Sequence, residues 1–179
     1  MNDNIGDLPS SWKWSELGEH VRLISGRHVK SADWNERGEG VPYLTGPSDF
    51  DDYNAIVTKH TTAPEVMCEA GDILITVKGS GCGKIARARE RACISRQLMA
   101  IRPRANSHYW FQFLINQEGY FQRLSSGSAI PGLSRDQILE TQTPVPPLSE
   151  QRRIADVLDT VDAAIQETDA VVEKQEQVK

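Results

Sequence analysis

Between residues 149 and 179 the chain carries a hydrophobic repeat that a helix can use and a strand cannot. Ile154, Leu158, Val161, Ile165, Thr168, Val172 and Gln175 follow one another at alternating steps of four and three. On a helix these positions form one line, a heptad seam. Val157, Ala164, Val171 and Val178 run beside it, and Asp156, Asp159, Asp162, Asp169, Glu173 and Lys174 take the remaining surface. Pro144, Pro146 and Pro147 hold the chain extended ahead of the repeat, Ser149 is placed to cap a first turn, and no Gly or Pro follows. At about 1.5 Å per residue the rod would be roughly 45 Å long.

A helix with an apolar stripe needs a cover. Two are open: the rest of its own domain, or a partner helix in the same molecule or another. The unbroken seam with acids beyond it favours the partner helix. The pairing residues are then Ile154, Leu158, Val161, Ile165 and Val172. Contact should be firmest from Ile154 to Ile165, because Thr168 and Gln175 weaken the apolar line farther on.

The expected division is therefore a domain over 1–148 and a spacer or dimerisation helix over 149–179. Hydrophobic residues make up 39% of the 179, enough for a real core. No apolar run approaches the roughly eighteen residues that cross a bilayer. Met1-Asn2-Asp3-Asn4 has neither the basic start nor the apolar centre of a signal peptide. Cys68, Cys82 and Cys93 are odd in number and widely spaced, which argues against a disulfide framework. The expected setting is the cytoplasm, with no membrane contact.

The formal net charge of −5 argues against nucleic acid, but its distribution does not. Residues 1–72 hold thirteen acids and six bases, and residues 149–179 hold eight acids and four bases. Residues 73–148 hold ten bases against four acids. A basic middle inside an acidic protein is what a polyanion would meet.

Along the first 148 residues, Val21 to Gly26 and Val41 to Gly46 read as strands, and Asp72 to Val77 is the clearest one. Lys84 to Arg91 and Ala92 to Pro103 read as two more. Ser107 opens an amphipathic helix with Trp110, Phe113, Leu114, Phe121 and Leu124 on one face, an aromatic stripe suited to a core. Ser125-Ser126-Gly127-Ser128 breaks it, and Leu133-Ser134 starts a short second helix. Asp49, Asp51 and Asp52 read as a solvated loop. The outline is α+β: a strand-rich domain with a few short helices, then the rod.

Several chemistries are nearly present. Lys78-Gly79-Ser80-Gly81-Cys82-Gly83-Lys84 follows a strand but is no P-loop, since position 78 is not Gly and Ile85 stands where Ser or Thr is needed. Its glycines either bring backbone close to a ligand or make a tight turn. Val145-Pro146-Pro147-Leu148 lacks the polar residue and the aromatic that hold a target amine in an amino-methyltransferase motif. No nucleophile elbow and no Cys/His set at metal-ligand spacing occurs. No catalytic residue, metal or cofactor is expected.

In order along the chain stand Leu8-Pro9 with Trp12, Ile24-Ser25-Gly26, and Gly71-Asp72-Ile73-Leu74 leading to Lys78-Gly79 and Gly83-Lys84. Then come Ile94-Ser95, Gly127 ahead of Leu133-Ser134, and Pro146-Pro147-Leu148-Ser149-Glu150-Gln151 running into Ile154. Taken together these resemble half of a DNA specificity subunit of a type I restriction–modification system. The resemblance implies a target recognition domain that reads a DNA half-site, and a coiled-coil helix that pairs antiparallel with a second copy. That helix would also dock methyltransferase subunits and, through them, a restriction subunit. The family pattern has two recognition domains and two helices in one chain, where this sequence has one of each. It is then either a half-subunit that dimerises or a fragment of a longer protein.

On that reading the expected contacts with double-stranded DNA are Arg27, Lys30, Lys78, Ser80, Arg96, Gln97 and Ser128. Arg27 and Lys30 follow a strand, Lys78 and Ser80 lie in the glycine loop, and Arg96-Gln97 offer forked donors. Arg87, Arg89, Arg91 and Arg104 are either backbone contacts or a solvated strand face. The alternative is a DNA-independent assembly or inhibitory protein that acts through the helix alone.

Overall fold

The computed structural model describes residues 8–79, 81–126 and 131–176, with side chains of the last helix placed as far as Thr168 apart from Gln166. The described residues open with a turn, in which the Trp12 N–H donates to the Pro9 carbonyl at 2.8 Å. The first elements are β1 (Lys13–Glu16), α1 (Leu17–His20), β2 (Val21–Ser25), β3 (Trp34–Asn35) and β4 (Val41–Leu44). Four short strands follow: β5 (Phe50–Asp51), β6 (Asn54–Ala55), β7 (Lys59–Thr61) and β8 (Met67–Cys68). Then come β9 (Ile73–Thr76), β10 (Ile85–Arg87), β11 (Ala92–Ile94) and β12 (Leu98–Pro103). The chain closes with α2 (Ser107–Asn116), α3 (Glu118–Ser125), α4 (Arg135–Leu139), β13 (Gln142–Val145) and α5 (Leu148–Glu176).

A six-stranded sheet, ordered β2-β12-β9-β10-β6-β5, forms the middle layer. Alternate side chains serve opposite faces. Val21, Leu23, Ile73, Ile75, Ile85 and Ile101 pack against Trp110, Leu114 and Phe121 of α2 and α3. Leu74, Leu98 and Ala100 pack on the other side against Leu44, Cys68, Ala92 and Ile94 of a five-stranded sheet, β3-β7-β4-β11-β8. Strand β9 is thus covered on both faces, which is why it reads in sequence as an unbroken apolar run. A separate pair, β1 with β13, joins the start of the domain to its end.

Three boundaries differ from the sequence reading. The single strand expected over Ala92–Pro103 is two, β11 and β12, which turn at Ser95–Gln97 and enter different sheets. The single helix expected from Ser107 is two, because Gln117 (φ −92, ψ 0) interrupts α2 and α3 while the aromatic stripe continues across the break. Helix α5 starts at Leu148, so Ser149 lies inside it, and the Pro147 carbonyl receives the N–H groups of Glu150 and Gln151 at 2.9 and 3.0 Å. By contrast Ser134 caps α4 as its sequence suggests, in a capping box with Gln137.

The two covers open to the rod are not exclusive. On one side Gln151 and Ala155 are buried, Ile154 is half-buried against the core, and α5 packs on α2. There His108 Nδ1 lies 2.5 Å from Asp159 Oδ2, and Gln112 Nε2 donates to Asp162 at 2.7 Å. Beside and beyond this docked face Val157, Leu158, Val161 and Ile165 are 63, 38, 49 and 53% exposed, with Ile165 also lining a cleft against Phe111 and Ile115 of α2. Ile154, expected only as a pairing residue, therefore also serves its own domain. The side chain of Val172 lies outside the described residues.

Candidate nucleic-acid interface

Strand register gathers four connections at one end of the two sheets. β12 runs antiparallel to β2 and β9, placing Met99 opposite Ser25 and Leu98 opposite Thr76. β11 runs parallel to β4, with Ile94 beside Leu44. The residues after β2, β4 and β9 and the β11–β12 turn therefore emerge side by side. Backbone bonds tie them: Gly26 N–H to Leu98 O (3.0 Å), Arg27 N–H to Ile94 O (3.1 Å), Val77 N–H to Gln97 O (2.8 Å) and Ser95 N–H to Leu44 O (2.9 Å).

The motif residues explain how the loops come so close. A Cβ on Gly26 would lie 2.1 Å from the Ser95 carbonyl oxygen, so only glycine fits there. Ser95 Oγ donates to the Thr45 carbonyl at 2.6 Å and accepts from the Gln97 N–H at 3.1 Å, which shapes the turn carrying Arg96 and Gln97. Asp49 fixes the loop after β4 from inside. Its carboxylate accepts from Thr45 N–H and Oγ1 at 2.5 and 2.7 Å and from Lys59 Nζ at 3.2 Å. Asp49 is buried, so the solvated-loop expectation is corrected for this residue, while Asp51 and Asp52 are exposed as expected.

The glycine loop is a tight turn. Cys82 N–H reaches Gly79 O at 3.0 Å, Gly83 N–H reaches Thr76 O at 2.7 Å, and Gly79 and Gly83 take φ of +87 and +92. Strand β10, not a helix, follows the loop in the chain. Pro131 and Gly132 lie against Lys78 and Gly79.

Arg27, Lys78, Arg96 and Gln97 therefore stand exposed on adjoining loops of one rim. Arg27 is 4.0 Å from Glu65. Lys30 is exposed too, at the start of a 3-10 turn past the buried Val29, and no hydrogen bond ties it to the rim among the described residues. Ser80 and Ser128 lie outside the described residues. Three other arginines have local work: Arg87 stacks 5.1 Å from the Phe111 ring centroid, Arg89 Nε donates to Asn54, and Arg91 pairs with Glu69. These favour the strand-face reading for that stretch. The loop after β4, with Thr45 and Pro47, is part of the rim and carries no basic residue by which the sequence could flag it.

Gly71-Asp72 has a structural role at the far end of the sheet. Gly71 takes a φ of +87, and the buried Asp72 carboxylate accepts Arg102 Nε and Nη2, both at 2.7 Å. That bond holds the Arg102 guanidinium above its ordinary value. Burial pushes the Cys68 thiol up to about 11 and raises Cys82 as well, so neither offers a thiolate near neutrality. Among the described residues no three His, Cys, Asp or Glu side chains are grouped to hold a metal ion, and no helix is long and apolar enough to cross a membrane.

Residues 9–174 match the family described as type I restriction modification DNA specificity domain. The chain is 29% identical over 167 residues to a putative type I restriction enzyme MjaX specificity subunit of Methanocaldococcus jannaschii, covering 90% of this chain and 39% of that protein. In structure it is similar to the HsdS subunit from Thermoanaerobacter tengcongensis, with TM-score 0.77, 29% identity, and coverage of 92% of this chain and 40% of that one. A chain from a structural study of complex assembly and conformational transition of the type I R-M system superposes with TM-score 0.81 and 30% identity, covering 97% and 44%. The chain thus spans about two fifths of the length of these relatives.

Proposed function

The chain belongs to the type I restriction–modification DNA specificity family, and on that footing we propose that it reads a DNA half-site without chemistry of its own. The observation that carries this reading is the rim, where a protein of net charge −5 collects Arg27, Lys78, Arg96 and Gln97 on three adjoining loops. In the proposed complex Arg96 and Gln97 enter the major groove, where forked donors discriminate bases. Lys78, Arg27 and Lys30 meet phosphates, which position the domain without reading sequence. Ser80 and Ser128 complete the proposed contact set.

Residues 149–179 form the second part of the proposal. The exposed strip from Val157 to Ile165 pairs antiparallel with a second copy, with Ile154 at one end and Val172 toward the other. Two rims then sit at opposite ends of a rod, related by a two-fold axis. Methyltransferase subunits dock on the paired helices, bring a restriction subunit with them, and act in the cytoplasm. Co-expression with a methyltransferase subunit, followed by mapping of methylated sites, tests the reading. It predicts two inverted half-sites separated by a gap that is not read. A single continuous asymmetric site contradicts it for a homodimer.

A second reading, a DNA-independent assembly or inhibitory protein, rests on the same exposed strip without the rim. Salt separates the two. DNA binding weakens steeply as salt rises, by counterion release, while apolar helix pairing responds far less.

A further inference from the structure

The six-stranded sheet ends at β2, and the free edge of that strand borders a cleft of about 670 Å³ lined by Arg22, Arg102, Arg104 and Arg135. Its other walls are apolar or glycine, and no carboxylate is among them. Register explains the gathering. Arg22 stands opposite Arg102 across the β2–β12 pair, and beyond it the Arg104 N–H donates to the His20 carbonyl at 2.9 Å. Helix α4 lays Arg135 over the same edge, Nη1 donating to Ser25 Oγ at 2.7 Å and Nη2 to the Leu23 carbonyl at 3.1 Å.

Four like charges around one cleft repel each other and call for counter-charge. The protein supplies little. Asp72 is already bonded to Arg102, and Glu69 is 3.4 Å from Arg91. Arg22 and Arg104 are exposed and have no side-chain partner among the described residues.

The cleft leads into the rim, because β2 passes from Arg22 through Ser25 to Gly26 and Arg27. At about 3.4 Å per residue, Arg22 and Ser25 are roughly 10 Å apart along the strand, and Arg27 lies two residues past its end. That is the rise of about three nucleotides in one strand of a duplex. A row of this length suits a run of phosphates better than a single small anion.

We infer that the β2 edge is a second DNA contact, a rail for the sugar–phosphate backbone that flanks the bases met at the rim. Arg22 and Arg104 neutralise phosphates, and Arg102 and Arg135 stand in fixed positions beside them, held by Asp72 and Ser25. The inference rests on the DNA-reading function proposed above and adds the course of the flanking duplex. The rail contributes affinity and register and no sequence selectivity.

The test titrates wild type, R22A/R104A, R22K/R104K and K78A/R96A with a mixed-sequence duplex of about 24 base pairs between about 50 and 200 mM salt. The slope of log affinity against log salt should fall by about two for R22A/R104A and be kept by R22K/R104K, since lysine still neutralises a phosphate. Inorganic phosphate alone, at millimolar concentration, should not saturate the cleft; saturation would make it a small-anion site and overturn the rail. An unchanged slope in R22A/R104A beside a reduced one in K78A/R96A would overturn the inference and leave the rim intact, with the arginines serving to guard an edge strand. Absence of salt-dependent binding in wild type would instead overturn the DNA-reading function itself.

Discussion

His108 Nδ1 lies 2.5 Å from Asp159 Oδ2, and this contact decides which face of the long helix is left over. One turn farther, Gln112 and Asp162 repeat the tether at 2.7 Å. With 3.6 residues per turn, docking Asp159 and Asp162 on α2 turns Val157 and Val161 away from the domain and leaves Leu158 and Ile165 at the margin of the docked face, all four exposed. The acids beside the seam thus serve as anchors, and a contiguous apolar strip stays uncovered in the single chain.

The rim is expected to behave as two kinds of contact. Lys78→Ala should lower affinity about equally for all duplexes and reduce the salt slope by about one. Arg96→Ala should cost about 1–3 kcal/mol and relax selectivity at one position. Fluorescence anisotropy against cognate and scrambled duplexes separates the two, and neither variant should change the oligomeric state. Full affinity in both would remove the rim from the DNA face.

Gly26→Ala should destabilise the fold by about 2 kcal/mol, because the new methyl would meet the Ser95 carbonyl at 2.1 Å and backbone must shift. At roughly 2–4 °C per kcal/mol for a chain of this size, the Tm should fall by about 4–8 °C. Gly119→Ala is the contrast. It lies in α3, its nearest neighbour is Arg123 Nη1 at 3.5 Å, and the change should be neutral or stabilising by up to about 1 kcal/mol. Thermal melts of both variants check the pair, and equal melting points would contradict it.

Alkaline pH should weaken the fold through Tyr109. Its phenol is buried and donates to the Pro144 carbonyl at 3.0 Å, and burial, helped by the Glu150 charge, pushes it up to about 12 from 10.0. Below about pH 10 the group is neutral in both folded and unfolded chains and its contribution is fully present. Between about 10 and 12 only the unfolded chain releases the proton, so stability falls as pH rises, by on the order of 2 kcal/mol in total. Urea unfolding at about pH 9 and 11 should show part of this loss, and Tyr109→Phe should reduce it by the phenol's share, the remainder coming from Cys68, Cys82 and Tyr43, which burial also raises. An undiminished loss in Tyr109→Phe would contradict the assignment.

Several features were legible in the sequence because one local pattern carried them. Ile73-Leu74-Ile75 is apolar without alternation since both faces of β9 are buried, and Leu133-Ser134 announces the start of α4. Arg27, Lys78 and Arg96-Gln97 could be named because each closely follows a run of strand-forming residues. That they share a rim could not, since it depends on pairings such as Leu98 with Thr76 and Ile94 with Leu44. Strands of two residues, β3, β5, β6 and β8, are too short to show a period. The pairing of β1 with β13, Lys13 opposite Val145, spans nearly the whole domain and has no local signal. Asp49 misled because an acid buried by four local donors looks, in one dimension, like any other loop acid. The arginine cleft escaped for the same reason as the rim: Arg22, Arg102 and Arg135 meet only in the folded register.

The proposed division between reading and pairing is tested most directly by light scattering of the purified chain over a range of concentrations. The expected mass is twice the 20.0 kDa of one chain, falling to one chain in V161D/I165D with little change in Tm, since both side chains are exposed in the monomer. Losing two buried apolar side chains from each copy should raise the dissociation constant by on the order of a thousandfold or more. A wild-type mass of one chain at every concentration, or a dimer that survives V161D/I165D, would contradict the account.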